Sequence, residues 1–416
     1  MSRPDESAPY ENRPAERLPY IICFAAAAFY YFSNPKPQSY YDYTFRVAAN
    51  MLGGSVGFAD KQPSWLNEFV PFEGFYYSVF PLGSVLSMIP FALLKAIGVI
   101  NEMPAAFIAA LCAGVSVLFL YFISKRYEIT ELSRWLMIAG MMFGTFTWTN
   151  LTMAGAWQLA LGFAMAAELG AIYFTVYDRR PWLAGLFFAF AFGNRTEILL
   201  TAPIFFYLLM SEPPANAGGS DSRLRVSAVN FRRVVAFCVV PFILGLLTLI
   251  YNYVRFHSFT DFGYARIPGV LDEPWYNHGI FSYRYIPGQI WEMLLRPWET
   301  RAVFPYLVPN GFSSSILWSS PFLLFAFRGG ARDRILRNAA WLAILVLCIL
   351  LWMHGNSGGW QFGYRYAMVC LPWLFVILLE TAPKKITPLE WAAYIFSFAA
   401  NAYATWLFHW TDYLKP

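Results

Sequence analysis

The sequence predicts an all-α polytopic membrane protein, and three observations carry that expectation. Apolar runs of about 17–25 residues recur along the chain, the length that crosses hydrocarbon as helix. The composition is 58% hydrophobic and only 13% charged over 416 residues, which leaves too little charge for the surface of a soluble domain this large. Basic residues are gathered into a few short loops between the apolar runs. The five cysteines (Cys23, Cys112, Cys238, Cys348, Cys370) all lie inside apolar runs. With neither metal spacing nor loop positions suited to disulfides, they read as small buried hydrophobes.

Residues 1–17 read as a polar, Pro-rich cytoplasmic tail. The run that follows, Ile21 to Phe32, has no small-residue cleavage site after it and is expected to be a retained first helix. A loop over 35–78, rich in aromatic and acidic residues, is too long for a simple connector. Within it, Tyr43, Val47 and Met51 recur at helical spacing before Gly53-Gly54, predicting an amphipathic helix that opens at Asp42. The stretch 211–230 has linker composition. No internal repeat is evident.

The positive-inside rule threads the rest. Lys125-Arg126, Arg179-Arg180, Arg223 to Arg233, Arg328 to Arg337 and Lys384-Lys385 are assigned to the cytoplasm. Runs 133–150 and 157–177 then cross in turn. The run 181–210 crosses twice if Gly193-Asn194-Arg195-Thr196-Glu197 is an outer turn between two short helices. The loop 255–310 and the turn His354 to Arg365 fall outside. The run 79–98, with Pro81, Pro90 and Lys95, does not fit as a simple crossing and is expected to be a re-entrant or membrane-surface element. About eleven spanning helices result, with the C-terminus outside.

This threading collects the unusual polar residues on one face: Asp42, Lys61, Glu68, Glu73, Arg195, Glu197, Arg255, Arg266, His354 and Arg365. Ionisable groups at membrane depth are expensive to hold and point to function. Arginines suit phosphate, and aromatic rings suit sugar faces. A structural alternative stands beside each: the arginines as interfacial anchors, Asp42 as a helix cap, and His354 and His257 as hydrogen-bonded interfacial groups.

Several motifs extend the pattern. They are Asp42-Tyr43 with Arg46, Ala48-Ala49 and Leu52-Gly53; Phe75-Tyr76-Tyr77-Ser78-Val79-Phe80-Pro81-Leu82-Gly83; Gly193 to Glu197; Tyr251-Asn252-Tyr253-Val254-Arg255-Phe256 through Asp261-Phe262-Gly263-Tyr264; and Gly358-Gly359-Trp360-Gln361-Phe362-Gly363-Tyr364-Arg365-Tyr366. In this order they resemble the GT-C glycosyltransferases, membrane enzymes that use polyprenyl-phosphate sugars, in the group of protein O-mannosyltransferases and aminoarabinose transferases. The resemblance covers roughly 40–375. It implies a GT-C-type seven-helix module over 18–254 with the first outer loop at 35–78. An outer cap over 255–310 and C-terminal membrane helices over 311–416 would complete the chain.

The implied activity is inverting transfer of a sugar from a polyprenyl-monophosphate donor to a hydroxyl on a glycan, lipid or protein acceptor. It would take place on the periplasmic (extracytoplasmic) side of a multi-pass protein of the inner (plasma) membrane, among membrane lipids and with no nucleic-acid partner. Asp42 would be the general base, while Arg195 and Arg365, with His354, Tyr364, Lys61 and Arg266, would bind substrate. One departure bears on cofactors. The loop Asn150 to Gln158 carries no acid where many relatives place a second carboxylate. No metal ligand is assigned, and a divalent metal ion is the sole cofactor the resemblance admits, with Asp60, Glu68 or Glu73 as further oxygen donors. Two other classes fit less well: a lipid-linked saccharide transporter or flippase, which needs a polar path across the bilayer, and an O-antigen ligase or polymerase type of enzyme, whose main loop lies late in the chain.

Overall fold

The computed structural model describes residues 13–35, 39–211 and 228–414. Most of the expected tail (1–12) and most of the expected linker (212–227) lie outside the described residues. The chain is mostly helical. Its elements run α1 (Arg13–Ser33), α2 (Tyr43–Leu52), a hairpin of β1 (Phe69–Phe72) and β2 (Phe75–Ser78), then α3 (Leu82–Leu86), α4 (Ile89–Ala96), α5 (Ala105–Ser124), α6 (Glu131–Phe143), α7 (Thr147–Met153), α8 (Ala156–Ile172), α9 (Pro181–Asn194), α10 (Ala202–Met210) and α11 (Ala228–Phe256). After α12 (Ile286–Ile290) and a second short pair, β3 (Glu299–Thr300) and β4 (Leu307–Val308), come α13 (Ile316–Ser319), α14 (Arg334–Met353), α15 (Leu371–Glu380) and α16 (Pro388–Trp410).

Among the described residues, four helices are long and apolar enough to cross a membrane: Ala105–Ser124, Ala156–Tyr177, Phe231–Phe256 and Arg334–Met353. Of the other expected crossings, α1 with 21 residues and α16 with 23 are long but are not among these four, and the rest are shorter or broken. The run 133–150 divides into α6 and α7, and the run 363–380 opens with the 3-10 turn Arg365–Cys370 before α15. In the run 79–98, α3 and α4 hold five and eight residues, far short of the ~20 that span hydrocarbon.

The helices pack in sequence, α1 on α5, α5 on α8, α8 on α9 and α9 on α11. Small residues allow the closest approach. A Cβ on Gly185 would stand 2.0 Å from Phe237 O on α11, so α9 and α11 meet nearly backbone to backbone. Segment 181–211 is a hairpin. Arg179, just before α9, donates to Leu208 O at 2.9 Å and Ser211 O at 2.6 Å, at the far end of α10. That closure caps the last carbonyls of α10 with a cation and leaves Arg195, in extended backbone, at the tip.

The tip is seated on α3. A Cβ on Gly83 would collide with the backbone of Gly193 at 2.3 Å, and Asn194 Nδ2 donates to Ser87 Oγ at 2.8 Å. The glycines of the Pro81-Leu82-Gly83 and Gly193-Asn194-Arg195 motifs are thus two halves of one contact. The helix at 43–52 forms as its spacing predicts, burying Tyr43, Phe45 and Val47 and ending where Gly53 N–H returns to Asn50 O at 3.0 Å.

The β-hairpin corrects the expectation of helix and loop alone. Its turn holds Glu73 and Gly74 at φ 47° and 83°, the pair of positive φ values that two-residue hairpins require. Arg255, wholly buried at the end of α11, fastens this hairpin to the helices. It donates to Ser78 O and, at 2.7 Å, to Asn252 Oδ1.

The basic loops converge at the other end of the molecule. Tyr127 OH is 2.7 Å from both Tyr177 OH and Glu380 Oε1. Arg332 reaches the carbonyl of Ala382 at 2.9 Å, and Arg328 pairs with Glu390 at 2.6 Å. Lys125, Arg179 and Lys384 therefore mark the end of the bundle opposite the tip that carries Arg195.

Candidate active site

A cavity of about 1620 Å³ opens where the ends of α1, α9, α14 and α16 meet the start of α8. Its volume exceeds the few hundred to ~1,000 Å³ usual for a single small ligand. Glu68, Trp157, Arg195, Glu197, His354, Arg365 and Tyr366 line it, and Tyr264 and Glu273 from the 255–310 segment form one wall. The 255–310 segment thus contributes directly to its lining.

Arg195 and Arg365 both line the cavity. Tyr366 stands between them, its ring centre 4.9 Å from the Arg195 guanidinium carbon and 5.3 Å from that of Arg365. The two differ in charge balance. Arg195 is neutralised by Glu197, two residues on, with Nη2 2.6 Å and Nε 2.8 Å from Oε1. Arg365 has no carboxylate within ion-pair distance among the described residues, and its buried Nε finds no hydrogen-bond partner. It is built into place from behind. Its backbone N–H donates to Gln361 Oε1 at 2.7 Å, and the loop before it uses Gly358, Gly359 and Gly363 at positive φ. A Cβ on Gly363 would stand 2.8 Å from that of Phe146.

Asp42 is not in the cavity lining, and this corrects the expected grouping of residues 42, 195 and 365. It opens α2 but makes no capping hydrogen bond. Its carboxylate instead pairs with Arg46 Nε at 2.6 Å, one helical turn on. Burial raises the Asp42 carboxyl above its ordinary range, against the Arg46 hydrogen bond that opposes the rise.

Glu68, from the same loop, does line the cavity. Both its oxygens accept from the Trp157 indole N–H, at 3.0 and 2.9 Å. Burial pushes Glu68 up to about 7, with the indole and Arg365 holding it back from rising further. The chain leading to it is short. Tyr43 of α2 packs on Trp157 with ring centres 5.1 Å apart, and its hydroxyl donates to Asn67 Oδ1 at 3.1 Å. Trp157 sits in the first turn of α8, inside the Asn150 to Gln158 segment that carries no acid.

The remaining predicted substrate-binding residues divide. His354 lines the cavity, with Nδ1 2.7 Å from Asn356 O, and burial lowers its pKa. Tyr364 is fully buried away from the cavity, its hydroxyl donating to Gln289 Oε1 at 2.8 Å, so its role is to hold the loop before Arg365. Arg266 lies outside the lining, paired with Asp261 at 2.7 Å and stacked on Phe72. Lys61 is exposed and also outside the lining.

Sequence reading missed Glu68 as a cavity acid, Trp157 as its partner, and the wall formed by His409 to Asp412 with Leu414. The Asp42/Arg46 spacing was the available signal, since an acid four residues before an arginine on a helix face tends to be satisfied by it. A divalent ion does not fit the residues present. Glu197 is taken by Arg195 and Glu273 by the Trp275 indole at 2.6 Å, and no cluster of three or more His, Cys, Asp or Glu side chains suited to a metal occurs among the described residues.

No known family matches this chain, and no curated protein matches it. Among solved structures it is similar to the Archaeoglobus fulgidus oligosaccharyltransferase in its apo form, with a TM-score of 0.45 and 11% identity over 96% of this chain and 56% of that one. The chain thus spans little more than half the length of that neighbour, and a likeness this loose carries no functional weight.

Proposed function

We propose that this protein is a membrane glycosyltransferase that moves a sugar from a lipid-linked phosphate donor to a hydroxyl acceptor, with Glu68 rather than Asp42 as general base. The observation that carries the reading is the pairing of opposites in one cavity. A carboxylate hydrogen-bonded by an indole N–H and a guanidinium with no ion-pair partner among the described residues both line it, near enough for Arg365 to favour the charged acid but not joined in an ion pair. The unmatched Arg365 suits a phosphate, for which its planar fork of donors is shaped. The free carboxylate suits a proton acceptor poised near neutral pH.

The reaction follows from these roles. The acceptor oxygen attacks the anomeric carbon as its proton passes to Glu68. The bond from that carbon to the phosphate oxygen breaks, and the lipid phosphate leaves with the added negative charge. Arg365, and Arg195 across the Tyr366 ring, stabilise that charge where it grows. A single displacement inverts the anomeric carbon. The concentration of cationic loops at the opposite end of the bundle supports a cavity on the extracytoplasmic side. A lipid-linked donor also agrees with a cavity bordered by helix ends, and a monophosphate agrees with one unpaired guanidinium.

Incubating the purified protein with polyprenyl-phosphate sugars and hydroxyl acceptors tests the proposal. Release of lipid phosphate, absent in Glu68→Gln, is the expected result. Turnover that survives unchanged in Glu68→Gln would remove Glu68 from the mechanism.

A further inference from the structure

A chain of hydrogen bonds runs into the cavity wall beside the arginines, and its polarity is fixed at the buried end. His354 Nδ1 lies 2.7 Å from Asn356 O. A carbonyl only accepts, so Nδ1 carries the hydrogen and Nε2 of the neutral ring keeps a lone pair. Burial, reinforced by the nearby Arg195 and Arg365 guanidiniums, opposes a second proton on this ring. The partner of Nε2 is the Tyr276 hydroxyl, 3.4 Å away, which must donate. A phenol has one hydrogen, so Tyr276 oxygen then accepts from Tyr264, whose hydroxyl is 2.9 Å away. Tyr264 lines the cavity and Tyr276 does not. The chain therefore ends at the cavity on an oxygen whose own hydrogen is already engaged.

Such an oxygen attracts a ligand O–H and is repelled by phosphate oxygens. His354, with Nδ1 tied back to its own loop and only a lone pair at Nε2, likewise offers nothing to a phosphate. Resting on the transferase reading above, we propose that the Tyr264 hydroxyl oxygen is a specificity-determining acceptor for a hydroxyl of the transferred sugar, with its polarity set by Tyr276 and His354. The cavity is thereby divided: guanidinium donors for the phosphate, and a phenol acceptor for the sugar. Sites built to hydrogen-bond a substrate hydroxyl reject analogues that lack it more strongly than apolar sites reject a missing methylene.

The test is equilibrium binding of the purified full chain to short-chain polyprenyl-phosphate hexoses and pentoses, their monodeoxy analogues, and polyprenyl phosphate without sugar. For wild type, removing one particular ring hydroxyl is expected to weaken binding about 10-fold or more. Tyr264→Phe should bind the parent sugar as weakly as wild type binds that deoxy analogue, and no longer tell the two apart. Its affinity for polyprenyl phosphate alone should stay within about twofold, which also shows that the variant is folded. His354→Leu, which frees the chain to reverse, should lose most of the discrimination while Tyr264 is still present.

Full discrimination in Tyr264→Phe or in His354→Leu would overturn the inference. So would a Tyr264→Phe variant that loses affinity for the bare lipid phosphate, because the hydroxyl would then serve the phosphate. If wild type itself binds no lipid-phosphate sugar, the transferase reading fails first, and the wild-type measurement alone reveals that failure.

Discussion

Two carboxylates of the first loop, Asp42 and Glu68, sit in contrasting surroundings although both border the same helix. Asp42 is matched by Arg46 at 2.6 Å and stands outside the cavity. Glu68 faces the cavity, its hydrogen bonds coming from a neutral indole. The two arginines repeat the contrast, since Arg195 is cancelled by Glu197 while Arg365 is left unmatched. In each pair, one member carries its own counter-ion nearby in sequence: Asp42 is held by it as structure, and Arg195 meets a ligand with its charge already balanced. The member without one is available to a ligand. Buried charges are costly when unpaired, so a fold that leaves an acid and a guanidinium unmatched in one cavity is poised to receive something that pairs with both.

The strongest way to break this comparison is to exchange the two acids' roles. Glu68→Gln is expected to lower the rate of transfer by about 10²–10⁴ while donor binding persists, as loss of a general base does. Steady-state release of lipid phosphate, with binding measured in parallel, checks it. Arg365→Ala should follow, with a loss of roughly 10²–10³ in kcat/KM and no loss of thermal stability, because no ion pair is broken. Arg195→Ala, in contrast, should lower stability as well, since it strands the buried Glu197. Equal effects of the two substitutions on stability would blur the distinction drawn between them.

A subtler measurement sharpens the assignment of the acid. A base must be deprotonated to act, so kcat/KM should rise with pH through about 7, where burial holds Glu68. Trp157→Phe removes the donor that favours the charged form. The acid limb should therefore move to higher pH, by about one unit for a hydrogen bond to a charged group. A profile that stays in place would detach that limb from Glu68. The smallest expected effect is that of Asp42→Asn. Activity should remain within about twofold, and stability should fall by no more than about 1 kcal/mol, the usual range for a partly exposed pair. An inactive but folded Asp42→Asn protein would reverse the comparison outright.

Much of the scaffold around this site was legible in residue order. The stop at Gly53-Gly54, the hairpin tip at Arg195 and the interrupted run at 79–98 all follow from local chemistry: glycine freedom, a polar break between apolar arms, and prolines inside a run too short to span. The β-hairpin at 69–78 was missed because Phe69 to Phe72 and Phe75 to Ser78 are apolar enough to pass for loop aromatics. Its Glu73-Gly74 turn was the signal. Arg266 was misread for the same reason as Asp42, since Asp261, five residues before it, already satisfies it.

What residue order determined by itself was the membrane class, the helix at 43–52, the turn at 193–197 and the gathering of polar groups at one end. Each depends on periodicity, run length or a single residue's backbone preference, which neighbours in sequence control. Only the tertiary structure decided which acid meets the arginines. That choice depends on Tyr43 of α2 packing against Trp157 of α8, more than a hundred residues away, and on Trp157 then turning its N–H toward Glu68. Long-range packing fixes the direction of a side chain, and direction separates a carboxylate that is already paired from one that can take a proton.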